Sequence, residues 1–295
     1  MIVVITNKGA GTRGEEDKSQ KIRDAFAVHG IAVEVIEVEG DQLTQSTSDA
    51  VARGASIVVA AGGDGTVNTV AAAVVGSTIP LGVLPMGTLN HFAKDASVPL
   101  DLAEAAGVIV SGSARAVDVA IVNDHIFINN SSIGLYPLMV RDRDRQRSKL
   151  KRSKWWAMVL ACAAIFKRFP TFNVRMTSEG ETVQYRTPSV FVGNNVYKLN
   201  VFTLGTRDDL DEGVLSVYAV RTLSRWRTVA LVFSMIFSRL EANPFFDVAH
   251  IEEMWLNTKR VHIDVSLDGE VVRMQTPLHY RIMKHSLNVN LPPRT

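Results

Sequence analysis

The sequence predicts an α/β domain on a parallel sheet followed by a mostly antiparallel β region, and three observations carry that prediction. Strand-like and helix-like stretches alternate over the first hundred residues, short β-like segments take over from about Arg115, and glycine-rich turns fall at the ends of the early strands. "IVVIT" (2–6) reads as the first strand and 15–29 as a helix. "IAVEVIEV" (31–38), a helical pattern over 42–53 and "SIVVAA" (56–61) complete a βαβαβ unit. A helix near Val67 follows, then a strand "IPLGVLP" (79–85), a loop and helix over 86–95, and a helix over 100–110.

The later β-like segments are "AVDVAIVN", "HIFINNSSI", "FNVRMTS", "TVQYRTPSVFVGN", "VLSVYAV", "RVHIDVSLDGEVVRM" and "LHYRIM", interrupted by helical stretches at 153–168 and 224–240. Asp268-Gly269 is a hairpin signal between two of them. No repeat, low-complexity segment or Pro-rich linker marks a boundary. The expected division is an α/β domain over 1–117, with the tail at about 286–295 packing back on it, and a β-rich domain over 118–285.

With 295 residues, 46% of them hydrophobic, the chain has material for one large core or two ordinary ones. A formal net charge of +2 argues against nucleic-acid binding by bulk charge. The single cysteine, Cys162, lies in an apolar run, which excludes a disulfide framework and a cysteine zinc site and fits a reducing cytoplasm. "MIVVITNKGAG" reads as a strand and loop rather than a signal peptide. The longest apolar run, "WWAMVLACAAIF" (155–166), has 12 residues, short of the roughly 20 that span a bilayer as a helix.

"AAGGDGTVN" (60–68) places Gly62, Gly63 and Gly65 where a parallel sheet binds ligands, at the carboxyl end of a strand. Such glycines permit φ > 0 and leave no Cβ in the way, so backbone N–H groups can converge on an anion at the start of the next helix. Asp64 then suits a divalent ion or a sugar hydroxyl, and Thr66 a helix cap or a phosphate. A plain strand-to-helix turn would use the same residues. "LPMGTLNHFA" (84–93) repeats the device with Gly87, Thr88 and Asn90, and "NKGAG" (7–11) supplies a third loop for the same cleft.

Together, Gly62-Gly63-Asp64-Gly65-Thr66 with Asn68, the segment P-x-G-T-x-N-x-F-A from Pro85 to Ala93, and "SLDGE" (266–270) resemble the diacylglycerol kinase catalytic-domain family, bacterial-type lipid kinases related to sphingosine kinases. The resemblance implies a three-layer α/β nucleotide-binding domain paired with a β-sandwich. It implies ATP held by Asn7, Gly62, Gly63, Gly65, Thr66, Gly87, Thr88 and Asn90. Glu270 would be the general base for a lipid hydroxyl, Asp118 an acidic residue near the transferring phosphate, and Asp208 and Asp211 ligands of a structural magnesium. Read without the family, Asp268-Gly269-Glu270 is a hairpin with a solvated glutamate and 208–213 an acidic turn.

The chain departs from the family pattern at Lys8, at His91 and over 198–206. NAD kinases share the GGDGT loop but lack the P-x-G-T-x-N-x-F-A segment, and a silent lipid-binding relative is the third reading. From 141 to 154 there are eight Arg or Lys against two Asp, followed by Trp155 and Trp156. That composition suits peripheral docking on an anionic membrane, or else a solvated face. A cytoplasmic, peripherally membrane-associated kinase with a lipid substrate, ATP and Mg2+, no nucleic acid, and room for a homodimer is the expectation.

Overall fold

The computed structural model describes residues 1–9, 18–134, 171–197, 207–220 and 246–293. The expected helices at 153–168 and 224–240, the basic stretch at 141–154, Cys162, Ala10 and Gly11 of the first loop, and the altered segment at 198–206 lie outside the described residues.

The first part runs β1 (Ile2–Asn7), α1 (Lys18–Ala27), β2 (Glu34–Val38), α2 (Leu43–Ala52), β3 (Ile57–Gly62), α3 (Asp64–Val74), β4 (Leu81–Pro85), α4 (His91–Asp95) and α5 (Leu102–Ser111). Strands then dominate: β5 (Ser113–Val122), β6 (His125–Phe127), β7 (Asn130–Gly134), β8 (Phe172–Ser178), β9 (Glu181–Thr187), β10 (Ser189–Asn194), β11 (Leu215–Val220), β12 (Phe246–Ile251), β13 (Glu253–Thr258), β14 (His262–Leu267), β15 (Glu270–Gln275) and β16 (Leu278–Leu291).

The βαβ pattern of the sequence becomes a parallel sheet in the order β2-β1-β3-β4. β4 is buried along its whole length and β3 at all but its first residue. That burial is why both read as continuous apolar runs, as central strands covered on both faces do. α3 buries Val67, Val70, Ala71 and Val74, the i, i+3, i+4, i+7 spacing of one helix stripe. Asp101 caps α5 by accepting from the amides of Ala103 and Glu104.

The antiparallel half forms a six-stranded sheet, β12-β11-β10-β7-β14-β15. The remaining strands extend the first sheet: β16 lies beside β4, then β13, β8 and β9, with β5 paired to β16 and β6 to β5. β16 joins the halves. Leu278 and Tyr280 pack in the core of the antiparallel half, while Leu287, Val289 and Leu291 belong to the core of the parallel half. A register shift between Met283 and Leu287 separates the two stretches, and Val289 pairs with Leu81 of β4. β5 divides likewise, with Val117 and Val119 in one core and Ala120 and Val122 in the other. The sequence shows "LHYRIM" and the tail as separate pieces; they are one strand, because a bulge lets a single strand change the core it faces.

Candidate active site

Parallel register brings the loops after β1, β3 and β4 to one edge: Thr6 pairs with Ala61, and Gly62 with Pro85. At this edge the two glycine loops touch. The Met86 amide donates to Gly62 O at 2.9 Å. A Cβ on Gly87 would stand 2.4 Å from Gly63 Cα, so only glycine fits between them. Of the two reasons for glycine drawn from the sequence, the structure corrects one: none of Gly62, Gly63 and Gly65 has positive φ, and what each needs is a missing Cβ, against the Thr66 side chain at Gly62, the Gly87 backbone at Gly63 and the Glu270 carboxylate at Gly65. The turn after Gly87 is closed by Asn90, whose Oδ1 accepts from Gly87 N and whose Nδ2 donates to Gly87 O, both at 2.9 Å. Asn90 itself has φ 50°, which an asparagine tolerates.

α3 begins at Asp64, three residues before the expected start near Val67, and no side chain caps its N-terminus. Its first amides therefore face the loop edge without an internal acceptor. Thr66 is buried and folds back over Gly62, where a Cβ would meet its Oγ1 at 2.6 Å. Asp64 is half-buried and accepts one long hydrogen bond, from the Phe92 amide at 3.4 Å, linking α3 to α4. Thr88 is exposed at the loop tip. Asn68 has its Oδ1 buried without a partner. Asn7 spends its Oδ1 on Gly9 N at 2.8 Å, and its carbonyl accepts from Lys18 Nζ at 3.0 Å.

The other half brings one carboxylate to this edge. Asp268 and Gly269, with φ of 46° and 90°, make a two-residue turn joining Leu267 to its partner Glu270. The Asp268 carboxylate accepts from the amides of Ile128 at 2.8 Å, Asn129 at 2.9 Å and Asn130 at 2.8 Å, fastening the turn to the loop between β6 and β7. Burial outweighs those three donors and pushes the Asp268 carboxyl up to about 6. The turn then presents Glu270, exposed, with its Oε1 3.3 Å from where a Gly65 Cβ would stand. The segment is a hairpin, as its residues predict, with an exposed glutamate that stands beside the first glycine loop.

Asp118 lies on β5 opposite the bulge of β16. It is buried, its Oδ2 accepts from Gly213 N at 2.7 Å, and its Oδ1 accepts from His285 N at 2.8 Å. Both oxygens are held by backbone, which ties Asp118 to the acidic segment and to the bulge of β16. The resemblance sets the same residue near a transferring phosphate. Asp208 and Asp211 line a pocket of about 450 Å³ together with Asp95, Asp209 and Arg115. Among the described residues no group of three or more His, Cys, Asp or Glu is placed to share a metal ion.

The sequence did not point to Arg207. Its guanidinium is fully buried and donates to Asp95 Oδ2 at 2.9 Å, Ile128 O at 2.8 Å, Asn194 O at 3.1 Å and Asn129 Oδ1 at 3.0 Å. It also lies over the Tyr197 ring, 5.2 Å from the centroid. One signal was available: a lone arginine opening the acidic run "RDDLDEG".

Residues 1–122 match the family model "Diacylglycerol kinase catalytic domain". The "Probable lipid kinase YegS-like" protein of Citrobacter koseri is 26% identical over 301 residues, covering 99% of this chain and 96% of that protein. The uncharacterized protein sll0036 of Synechocystis is 26% identical over 257 residues; the alignment takes in 85% of this chain but 58% of that relative, so the chain spans little more than half its length. A diacylglycerol kinase structure from Bacillus anthracis has the same fold, with a TM-score of 0.74 at 21% identity over 99% of this chain and 97% of that one. Yeast NADH kinase complexed with NADH gives 0.56 at 11% identity over 99% and 83%. These last two likenesses concern the fold.

Proposed function

We propose, from the match of residues 1–122 to the diacylglycerol kinase catalytic-domain model, that the protein is an ATP-dependent lipid kinase that phosphorylates a lipid hydroxyl such as that of diacylglycerol. The observation that supports this best is the carboxylate of Glu270 standing beside Gly65 at the mouth of the glycine loops. A base at a phosphate cradle is what transfer to an alcohol needs, since the acceptor proton must leave as the oxygen attacks.

The cradle fits a nucleotide phosphate. α3 starts without a side-chain cap, and the missing side chains of Gly63 and Gly87 let the two loops close to backbone contact, leaving amides rather than side chains to face an anion. Asp64, with one weak internal hydrogen bond, has an oxygen to give to a divalent ion. Magnesium bound there would neutralise phosphate charge. Glu270 takes the proton from the lipid oxygen, that oxygen forms a bond to the γ-phosphorus, and the bond from phosphorus to the bridging oxygen breaks, its electron pair leaving with ADP. Close-packed loops and the fixed hairpin hold donor and base in place, so positioning supplies most of what the protein contributes.

Yeast NADH kinase shares the fold at a lower score, so the acceptor is read from chemistry rather than architecture. No described helix is long and apolar enough to cross a membrane. Docking on an anionic surface through the basic 141–154 stretch belongs to this proposal, checked by salt-sensitive sedimentation with anionic vesicles.

The decisive experiment compares wild-type protein with Glu270→Gln on diacylglycerol and on a total lipid extract, using labelled ATP. Turnover should fall about 10²- to 10⁴-fold, while ATP affinity by titration calorimetry stays within about twofold. Equal turnover in the two proteins would remove Glu270 from the chemistry. A wild type that binds ATP yet labels no lipid would leave the silent lipid-binding reading ahead.

A further inference from the structure

The two halves of the site come from segments far apart in the chain, Gly65 and Gly87 on one side and Glu270 on the other, and something must fix their relative position. At the mouth itself Glu270 is exposed, its Oε1 3.3 Å from where a Gly65 Cβ would stand. Behind the mouth, a chain of short polar contacts runs from one half to the other. Asn90 closes the second glycine loop and precedes α4, whose last residue, Asp95, binds Arg207 at 2.9 Å with both side chains buried. Arg207 then holds Ile128 O at 2.8 Å and Asn129 Oδ1 at 3.0 Å. The amides of those same two residues, with that of Asn130, are the donors to Asp268, two residues before Glu270.

We propose that Arg207 is a positioning residue for the transfer reaction: through Asp95 and the Ile128–Asn130 loop it sets the distance between the Glu270 carboxylate and the glycine cradle. The inference rests on the kinase reading for its catalytic consequence, though its structural half stands apart from it. An arginine suits this place because its planar fork serves several acceptors at once; the four acceptors here come from three separate stretches of chain. A lysine would keep the attraction to Asp95 but could not span the fork.

Removing one member of a buried pair strands the other charge, whereas replacing both with apolar groups of similar size is often tolerated. The test is therefore Asp95→Leu with Arg207→Met. In the wild-type background kcat should fall about 10- to 100-fold, the range expected when a reacting group moves by about an ångström, with ATP affinity within about twofold. In the Glu270→Gln background the same replacement should cost less than about twofold, because a residue that acts through Glu270 has nothing left to position. Equal losses in both backgrounds would overturn the proposal.

Arg207→Lys covers the case in which the double replacement does not fold: it should lose about tenfold in kcat at unchanged ATP affinity, and wild-type kcat would overturn the proposal. If the wild type phosphorylates no lipid, the kinase reading fails by itself and the coupling is read by hydrogen exchange. Protection of the Ile128–Asn130 amides and of the Asp268–Glu270 turn should drop at least tenfold in the variant while that of α3 holds. Unchanged protection would sink the coupling whatever the activity.

Discussion

In the parallel half, Asp64 stands at the mouth of the site with a single 3.4 Å hydrogen bond from Phe92; in the antiparallel half, Asp118 and Asp268 spend their oxygens on five backbone amides between them. The contrast extends to how each half is held. The glycine loops are joined by backbone contact between residues about 25 apart in the chain. The hairpin and acidic segment are joined by side chains reaching backbone as far as 167 residues away. A carboxylate satisfied by amides is a brace, and one left almost free is available to a ligand. Acidic residues in one cleft need not share a role.

Substitutions in the glycine loops should strike binding and rate, and those at the carboxylates braced by amides, Asp118 and Asp268, should strike stability. Gly87→Ala is the sharpest test on the first side. Its Cβ would meet Gly63 Cα at 2.4 Å, so the loops must part, and ATP affinity should fall about 100-fold, as misplacement of a site by an ångström commonly costs. Titration calorimetry reads this, with circular dichroism to show that the fold is kept. Full affinity in the variant would mean that the contact between the loops does not shape the cradle.

Asp118→Asn tests the other side. An amide in place of the carboxylate turns an N–H group toward either Gly213 N or His285 N, leaving a buried donor unsatisfied at a cost of about 1–3 kcal/mol. The urea midpoint should drop with an unchanged slope, while turnover per folded molecule stays near wild type. A loss of turnover without a loss of stability would return Asp118 to the chemistry and break the comparison.

The smallest effect concerns Asp268 and pH. Its carboxyl is raised to about 6 in the folded protein, against an ordinary value of 3.8, so folding favours its protonated form. That contribution is complete below the ordinary value and is lost as pH rises through about 6. Relative to Asp268→Asn, which cannot titrate, wild-type melting temperature should decline between pH 4 and pH 7. A difference that does not change with pH would mean that the three amide donors, not burial, govern this carboxyl.

Much of the site was legible in the sequence. Alternating apolar runs predicted β1, β3 and β4 as strands of one parallel sheet, because strand and helix periods are local properties of the chain. Such a sheet places the loops at its strand ends on one edge, and Asp268-Gly269 announced its own turn, since only certain residues accept φ > 0 at both positions. What the tertiary structure decided was everything that depends on distant partners. Periodicity could not show that β16 serves two cores, that Asp118 is a brace, or that Glu270 comes to rest beside Gly65. Nor could it reveal Arg207, whose four acceptors become neighbours only after folding. A hydrogen bond from a side chain to backbone 140 or 167 residues away leaves no mark on local pattern; it exists because burial excludes water and every polar group left inside must find a partner.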